Sequence, residues 1–503
     1  MDWSQRFAFR VSKPQKREEP VYEERGSIFD IRGHDRLLRV VLSTEVEEQD
    51  ADSRGALTIG LMKSQLVEVV RYADDGPPSD AELVDNAPWG VAVDGWLTVE
   101  LTRDRYMASL GSCTYVTKTG IHRGSLGGAD AVSLAIGHDS RGGAPAPDFM
   151  ATPAGRAAVA LRAALGAQAD ILLTERAELH PPHRYLRRTS VEVLRPADAL
   201  PLLSLYLRSR GSYVVDASGG RTYTIEPPLF WRQATLALAP GLERALRRAA
   251  AADDLTLPVS RGLSGIQARI ALALEARDRV LRACLVHPHA KPADAAAPAI
   301  DYLMLSIGAA LDSLGKLVHH TLGVPGDDVR VSWTRDGRGS KGRRASWLRD
   351  LKLVEGGAQV RRIAKTEKFV HFHTIFSQLR NSIHGAAPES VPASDDELHH
   401  HPDRTLVRLV VRDVDQLLTS CAHLHGRDYW SIWRLQPPER SSVVVDPAVV
   451  GDHLINYAIS FIDAVLDEVG APDAPMGDQL VAPPVATRLR WIIGLHDPSP
   501  TSD

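Results

Sequence analysis

The segment Arg380-Asn381-Ser382-Ile383-His384-Gly385 sets a guanidinium and an imidazole four residues apart. On a helix that spacing is one turn, so the two side chains share a face. The pair suits phosphodiester chemistry. An imidazole titrates near neutrality and can exchange a proton with a ribose 2′-OH or a leaving oxygen, while a guanidinium forks onto phosphate oxygens. Neither role requires a metal. The plain alternative is that both residues cap a helix C-terminus, where the macrodipole favours positive charge.

Such a pair needs a rigid helix beneath it. Phe369, Phe372, Phe376, Leu379 and Ile383 recur at helical spacing upstream of and within the motif, and Gly385 and Pro388 supply stop signals. Further amphipathic stretches cover Ser264–Val286, Pro298–Leu322, Val411–Leu424 and Asp452–Val469, together with Lys365–His384 itself. In the first, Ile266, Ile270, Leu274 and Leu281 form a buried stripe; in the second, Leu303, Ile307, Leu311, Leu314 and Val318 do so. Helices of this length with such stripes predict an all-α bundle over 262–474.

Other segments could also carry chemistry. The stretch Arg335-Asp336-Gly337-Arg338-Gly339-Ser340-Lys341-Gly342-Arg343-Arg344 puts five cations and one anion on a Gly-rich backbone. Arg335, Arg338, Lys341, Arg343 and Arg344 could follow a nucleic-acid backbone, although a solvated loop has the same composition. His371, His373 and the run His399-His400-His401 with Asp403 offer metal ligands, but adjacent histidines seldom converge on one ion and no HExxH spacing is present. No metal or cofactor is expected. Gly120–Gly128 lacks the Gly-Lys-Ser/Thr ending of a phosphate loop and reads as a turn in a β-rich module. The basic stretch Glu178–Arg188 reads as a surface connection.

The 503 residues, with 59 basic and 63 acidic side chains, predict two to four domains and no overall positive field. Cys113, Cys284 and Cys421 are odd in number and far apart, which argues against a disulfide framework and fits a reducing cytoplasm. The N-terminus has no apolar h-region, and no run reads as a membrane span. The predicted class is an α+β multidomain chain. A charged, Pro-bearing arm covers 1–24 and a β-rich module covers 25–140, with strands at Leu37–Leu42, Leu57–Leu61, Leu66–Tyr72, Val91–Leu101 and Tyr115–Thr119. Asp94-Gly95 between apolar runs predicts a hairpin. After the linker Gly142–Pro147, a mixed α/β module spans 153–258, with helices at Pro153–Ala169, Ala199–Arg210 and Phe230–Ala250, the last interrupted at Pro240-Gly241. An irregular tail covers 475–503.

With Ser346-Trp347-Leu348 and the Asp301–Leu322 helix upstream of it, Leu-Arg-Asn-x-Ile-His-Gly at the end of a bundle helix resembles the signature of the HEPN superfamily, in particular its Apea-like branch. The resemblance covers about residues 262–470. It implies a metal-independent endoribonuclease of the kind found in bacterial toxin and antiphage systems. Arg380 and His384 would be catalytic, with Asn381 the polar residue beside them. It also implies RNA as partner and a homodimer through the bundle, with the N-terminal modules in a sensing or regulatory role and the trigger unidentified. Three residues separate Arg380 from His384, where the family commonly has four to six. A catalytically silent HEPN-like dimerisation or partner-binding protein is therefore the alternative.

Overall fold

The computed structural model describes residues 29, 37–46, 53–74, 94–101, 109–117, 120–127, 153–180, 191–216, 222–251, 257–285, 292–333, 347–385, 388–391, 406–435, 441–469 and 483–495. The expected arm (1–24), the linker and the His399–His401 run lie outside them. The chain is mixed α/β and mostly helical, with a parallel sheet toward the N-terminus and helices toward the C-terminus. It divides into two compact units, 1–224 with 285–290, and 225–284 with 291–503.

The first unit comprises β1 (Leu38–Ser43), α1 (Ser53–Met62), β2 (Val67–Tyr72), β3 (Gly95–Leu101), β4 (Ser109–Thr117), β5 (Gly120–Gly127), α2 (Pro153–Gly166), β6 (Ile171–Leu173), β7 (Glu192–Leu194), α3 (Pro196–Ser209), β8 (Val214–Asp216) and β9 (Thr222–Thr224). Seven strands form one sheet in the order β5-β4-β3-β2-β1-β6-β7. β3, β2, β1, β6 and β7 are mutually parallel, and β4 and β5 add an antiparallel hairpin at one edge. The central strands are near-continuous apolar runs because helices cover the sheet. Val41, Val70, Leu97 and Leu172 pack with Ala157, Ala160, Ala163 and Ala164 of α2, whose small side chains allow close approach. Elsewhere in the unit α1 packs on α3, and the buried Thr58 hydroxyl donates to Pro196 O at 2.6 Å.

Several expectations change here. The boundary drawn between 25–140 and 153–258 runs through a single sheet, because β1 pairs with β6. Leu57–Leu61 is helical within α1, not a strand; its apolar run faces α3 and the sheet, and buried helix segments share that composition with strands. Asp94-Gly95 does not turn a hairpin: Gly95 opens β3, which runs parallel to β2. The hairpin is β4–β5, so Gly120–Gly127 is a strand.

The second unit comprises α4 (Pro227–Leu238), α5 (Pro240–Ala251), α6 (Leu257–Leu285), α7 (Pro292–Thr321), α8 (Trp347–Leu351), α9 (Gly357–Ala364), α10 (Glu367–Gly385), β10 (Glu389–Val391), β11 (Leu406–Val410), α11 (Val414–His425), α12 (Tyr429–Trp433), β12 (Ser442–Val445), α13 (Pro447–Val469) and α14 (Pro483–Ile493). α13 is the central helix, packing against α5, α7, α9 and α10. Trp333 and Phe369 close on its Phe461 by edge-to-face contacts with ring centroids 5.0 Å apart, and Trp347 packs edge-to-face on Trp333 at 5.1 Å. α7 and α13 are long and apolar enough to cross a membrane by length and composition, contrary to the sequence expectation; 61% of each apolar window is buried within the fold.

The helical unit is larger than the 262–474 expected. α4 and α5 belong to it: Gly241 N donates to Asp463 Oδ1, and Arg244 pairs with Asp467 on α13. The tail is not wholly irregular, since α14 docks on α4 with Arg490 Nε donating to Ala237 O at 2.7 Å. Pro298 sits inside α7 rather than at its start.

Arg277 on α6 is 1% exposed and fully engaged. It forks onto both carboxylate oxygens of Asp452 and donates to Ile493 O at 2.8 Å, joining α6, α13 and α14. Burial pushes the imidazole of His373 on α10 down to about 4, and burial with the neighbouring His453 does the same to His425.

Two predictions follow from these buried groups. Arg277→Ala should cost about 3–5 kcal/mol in denaturant unfolding, with Arg277→Met costing less, because an unpaired Asp452 is then the main residual penalty. Both histidines are neutral when folded and gain a proton in the unfolded chain below about pH 6.5, so stability should fall as pH drops from 6.5 to 4. His373 should contribute on the order of 3 kcal/mol to that fall. His373→Phe should flatten the stability profile measured by urea titration across that range.

Candidate functional site

α10 extends to Gly385, so Arg380 and His384 lie one turn apart on one helix, as the spacing predicts. The side chains of Asn381 and His384 lie outside the described residues. Three contacts fix the position of α10. Its apolar stripe is buried, with Phe369, Phe372, Phe376 and Leu379 at 6% exposure or less. Gln378 donates from Nε2 to Gln416 Oε1 at 2.6 Å and accepts from Asp413 N at 3.0 Å, tying α10 to the start of α11. Asp413 in turn caps α11 by accepting from Gln416 N at 2.9 Å.

The third contact is made by Arg380 itself. Its guanidinium lies flat against α7 at Gly308, where a Cβ would come 3.1 Å from Cζ and 3.2 Å from Nη1. Glycine is therefore what allows the cation to reach α7. Arg380 Nε is buried and has no hydrogen-bond partner among the described residues. A buried N–H donor left unused is costly unless an acceptor arrives, and a phosphate oxygen is one such acceptor.

Sequence reading passed over Asp301, two turns before Gly308 on the same face of α7. Its Oδ1 is buried without a partner among the described residues, and burial holds its carboxyl above the usual carboxylate range. The available signal was an acidic residue within the apolar run Ala299-Ile300-Asp301-Tyr302-Leu303.

The basic segment containing Arg335, Arg338, Lys341, Arg343 and Arg344 lies outside the described residues. A different basic surface is visible: an open hollow lined by Lys352, Arg361, Arg362 and Lys365 with Ala358 and Thr366, and no carboxylate. It lies beside the first turn of α10, and Arg380 is 13 residues further along from Glu367, about 20 Å by helical rise.

One trio capable of holding a metal occurs among the described residues: Glu367 and His371 on α10 with His423 on α11. The His371 and His423 rings stack at 4.3 Å with only 12° between their planes. The in-plane lone pairs of stacked rings run side by side, so the three ligands do not converge on a tetrahedral centre as they stand. The sequence signal for the trio was the i,i+4 spacing of Glu367 and His371; the third member comes from another helix.

Comparison of the chain with known proteins finds no matching family model, no matching curated protein and no matching solved structure.

The close approach at Gly308 yields a direct test. In Gly308→Ala the gain of about 0.5–1 kcal/mol in helix propensity offsets part of the steric cost, and the guanidinium end can swing away. Stability should therefore change by no more than about 1 kcal/mol. Arg380 should become more reactive toward a dicarbonyl reagent, read by mass spectrometry of the peptide that contains it. Unchanged protection would show that Gly308 does not seat the guanidinium.

Proposed function

We propose that the helical unit is a HEPN-type, metal-independent endoribonuclease acting in the cytoplasm as a bacterial toxin or antiphage effector, with the N-terminal unit in a regulatory role. The observation that carries this reading is the Arg380 guanidinium against Gly308, its buried Nε lacking an acceptor among the described residues, one helical turn before His384. In the proposed mechanism Arg380 holds the non-bridging oxygens of the scissile phosphate and offsets the charge that develops on the phosphorane. His384 exchanges a proton with the 2′-OH or the leaving oxygen, and Asn381 orients one of these groups. The carboxylate-free hollow of Lys352, Arg361, Arg362 and Lys365 supports RNA as substrate, as does the basic segment 335–344. A homodimer through the bundle would bring two such pairs to one RNA.

The three-residue spacing between Arg380 and His384 favours a second reading, in which the same unit binds a partner or dimerises without cleaving. The two readings separate in one assay. Purified wild type, Arg380→Ala and His384→Ala are incubated with end-labelled RNA in EDTA. Nuclease function predicts cleavage by wild type that drops about a hundredfold or more in each variant. Equal cleavage by all three proteins, or none by any, would leave the binding reading.

A further inference from the structure

The strand order of the N-terminal unit points to a ligand site. β1 lies between β2 and β6, and the chain leaves β1 in one direction, through β2 and β3, before returning on the other side to form β6 and β7. In an open parallel sheet such a reversal separates the loops that leave the two neighbouring strands. The crevice outside their carboxyl ends is where ligands of doubly wound folds bind.

The residues at that crevice are polar and come from three strand ends. Ser43 ends β1, with Glu45 two residues on; Tyr72 ends β2, with Asp74 two residues on; Thr174 and Arg176 follow β6. Glu45 accepts from the hydroxyls of Ser43 and Thr174 and from Arg176 Nε and Nη2, both at 3.2 Å. Burial acts to raise the Glu45 carboxyl, but these donors outweigh it and hold it below the usual range. Asp74 accepts from Tyr72 Oη at 3.1 Å and from Arg176 Nη2 at 3.0 Å, and Arg156 Nε lies 3.6 Å from it. Arg156 sits in the first turn of α2, so the positive end of that helix is at the same place.

A purely structural ion-pair network would serve to pin strand ends, and the opposite ends of the same strands have one. It lies at the amino ends of the central strands: Arg39 pairs with Glu68, at 12% and 13% side-chain exposure, and Arg39 N donates to Asp170. The crevice differs in its outer groups: Asp74 and Arg156 are 30% and 45% exposed, while Arg176, at 12%, is as covered as Arg39 and anchors Glu45 and Asp74 from beneath. A carboxylate just beyond the second parallel strand is placed to accept hydrogen bonds from ribose hydroxyls. The exposed Arg156 guanidinium and the helix N-terminus it sits on are placed to take a phosphate. The turn Ser43-Thr44-Glu45-Val46 has no glycine, so nothing there lets the backbone wrap a pyrophosphate as a dinucleotide fingerprint does.

We propose that this crevice binds a ribonucleotide, with its ribose hydroxyls on Asp74 and its phosphate on Arg156, Arg176 holding the two carboxylates in place. The site is independent of the RNA-cleavage reading, because every group in it belongs to the first unit.

The test uses the full chain and isothermal titration with the adenosine, guanosine, cytidine and uridine monophosphates and their 2′-deoxy counterparts. At least one ribonucleotide should bind saturably, and its deoxy form should bind about tenfold more weakly. Asp74→Asn should remove most of that discrimination, and Arg156→Ala should weaken the monophosphate while leaving the parent nucleoside unchanged. Circular dichroism melting checks that both variants fold, and the ribo-to-deoxy comparison on wild type needs no variant. Any of three results would overturn the proposal: no saturable binding up to about 1 mM, equal affinity for ribo and deoxy forms, or binding lost in Arg380→Ala but kept in Asp74→Asn.

Discussion

Burying a guanidinium is expensive unless its N–H groups find acceptors, and the helical unit treats two of its arginines in opposite ways. Arg277 is almost wholly inside and is met by a bidentate carboxylate and backbone carbonyls, so it works as a crosslink among α6, α13 and α14. Arg380 packs tightly against α7 where Gly308 has no side chain, and its buried Nε stays unpartnered among the described residues. The first arrangement fixes the frame. The second is tolerable only because the frame, through the buried stripe of α10 and the Gln378 bridge to α11, holds that helix close to α7. Stability created in one part of the bundle thus supports a strained electrostatic situation in another.

The parallel sheet shows the same economy in a different form. Its middle is mostly hydrocarbon, Arg71 over Trp96 being an exception, which leaves the strand ends as the places where polar side chains gather. At one end the charged groups are closed off and act as ties. At the other, Glu45, Asp74, Arg156 and Arg176 form a partly open network at the point where the strand order reverses. The reversal follows from topology alone, whereas the polar character of the crevice depends on Asp74, Thr174 and Arg176, 29 to 131 positions from Glu45, meeting there.

The helical half was largely legible from residues. Ile266, Ile270 and Leu274, and likewise Leu303, Ile307, Leu311 and Leu314, mark their buried faces by period alone, and each is buried. Reading failed where short apolar runs have no period long enough to discriminate. Leu57–Leu61 has a strand's composition yet packs as a helix, and Gly120–Gly127 has a turn's composition yet pairs with β4. Domain limits failed for a related reason: glycine, proline and alanine near 142–153 mark a connection, but whether the strands on either side share a sheet is decided by pairing across more than a hundred residues.

What the sequence by itself determined is local. It set the helix that carries Arg380 and His384, their one-turn separation, and the apolar stripe beneath them, because helical period and stop signals act within a few turns. Tertiary structure alone decided that Gly308 is the floor under Arg380, that Asp301 shares that face with its Oδ1 unpartnered among the described residues, that His423 completes a trio with Glu367 and His371, and that three strand ends converge on Glu45 and Asp74. Each of these depends on side chains brought together by close packing of distant segments, and a linear pattern carries no record of which segments will touch.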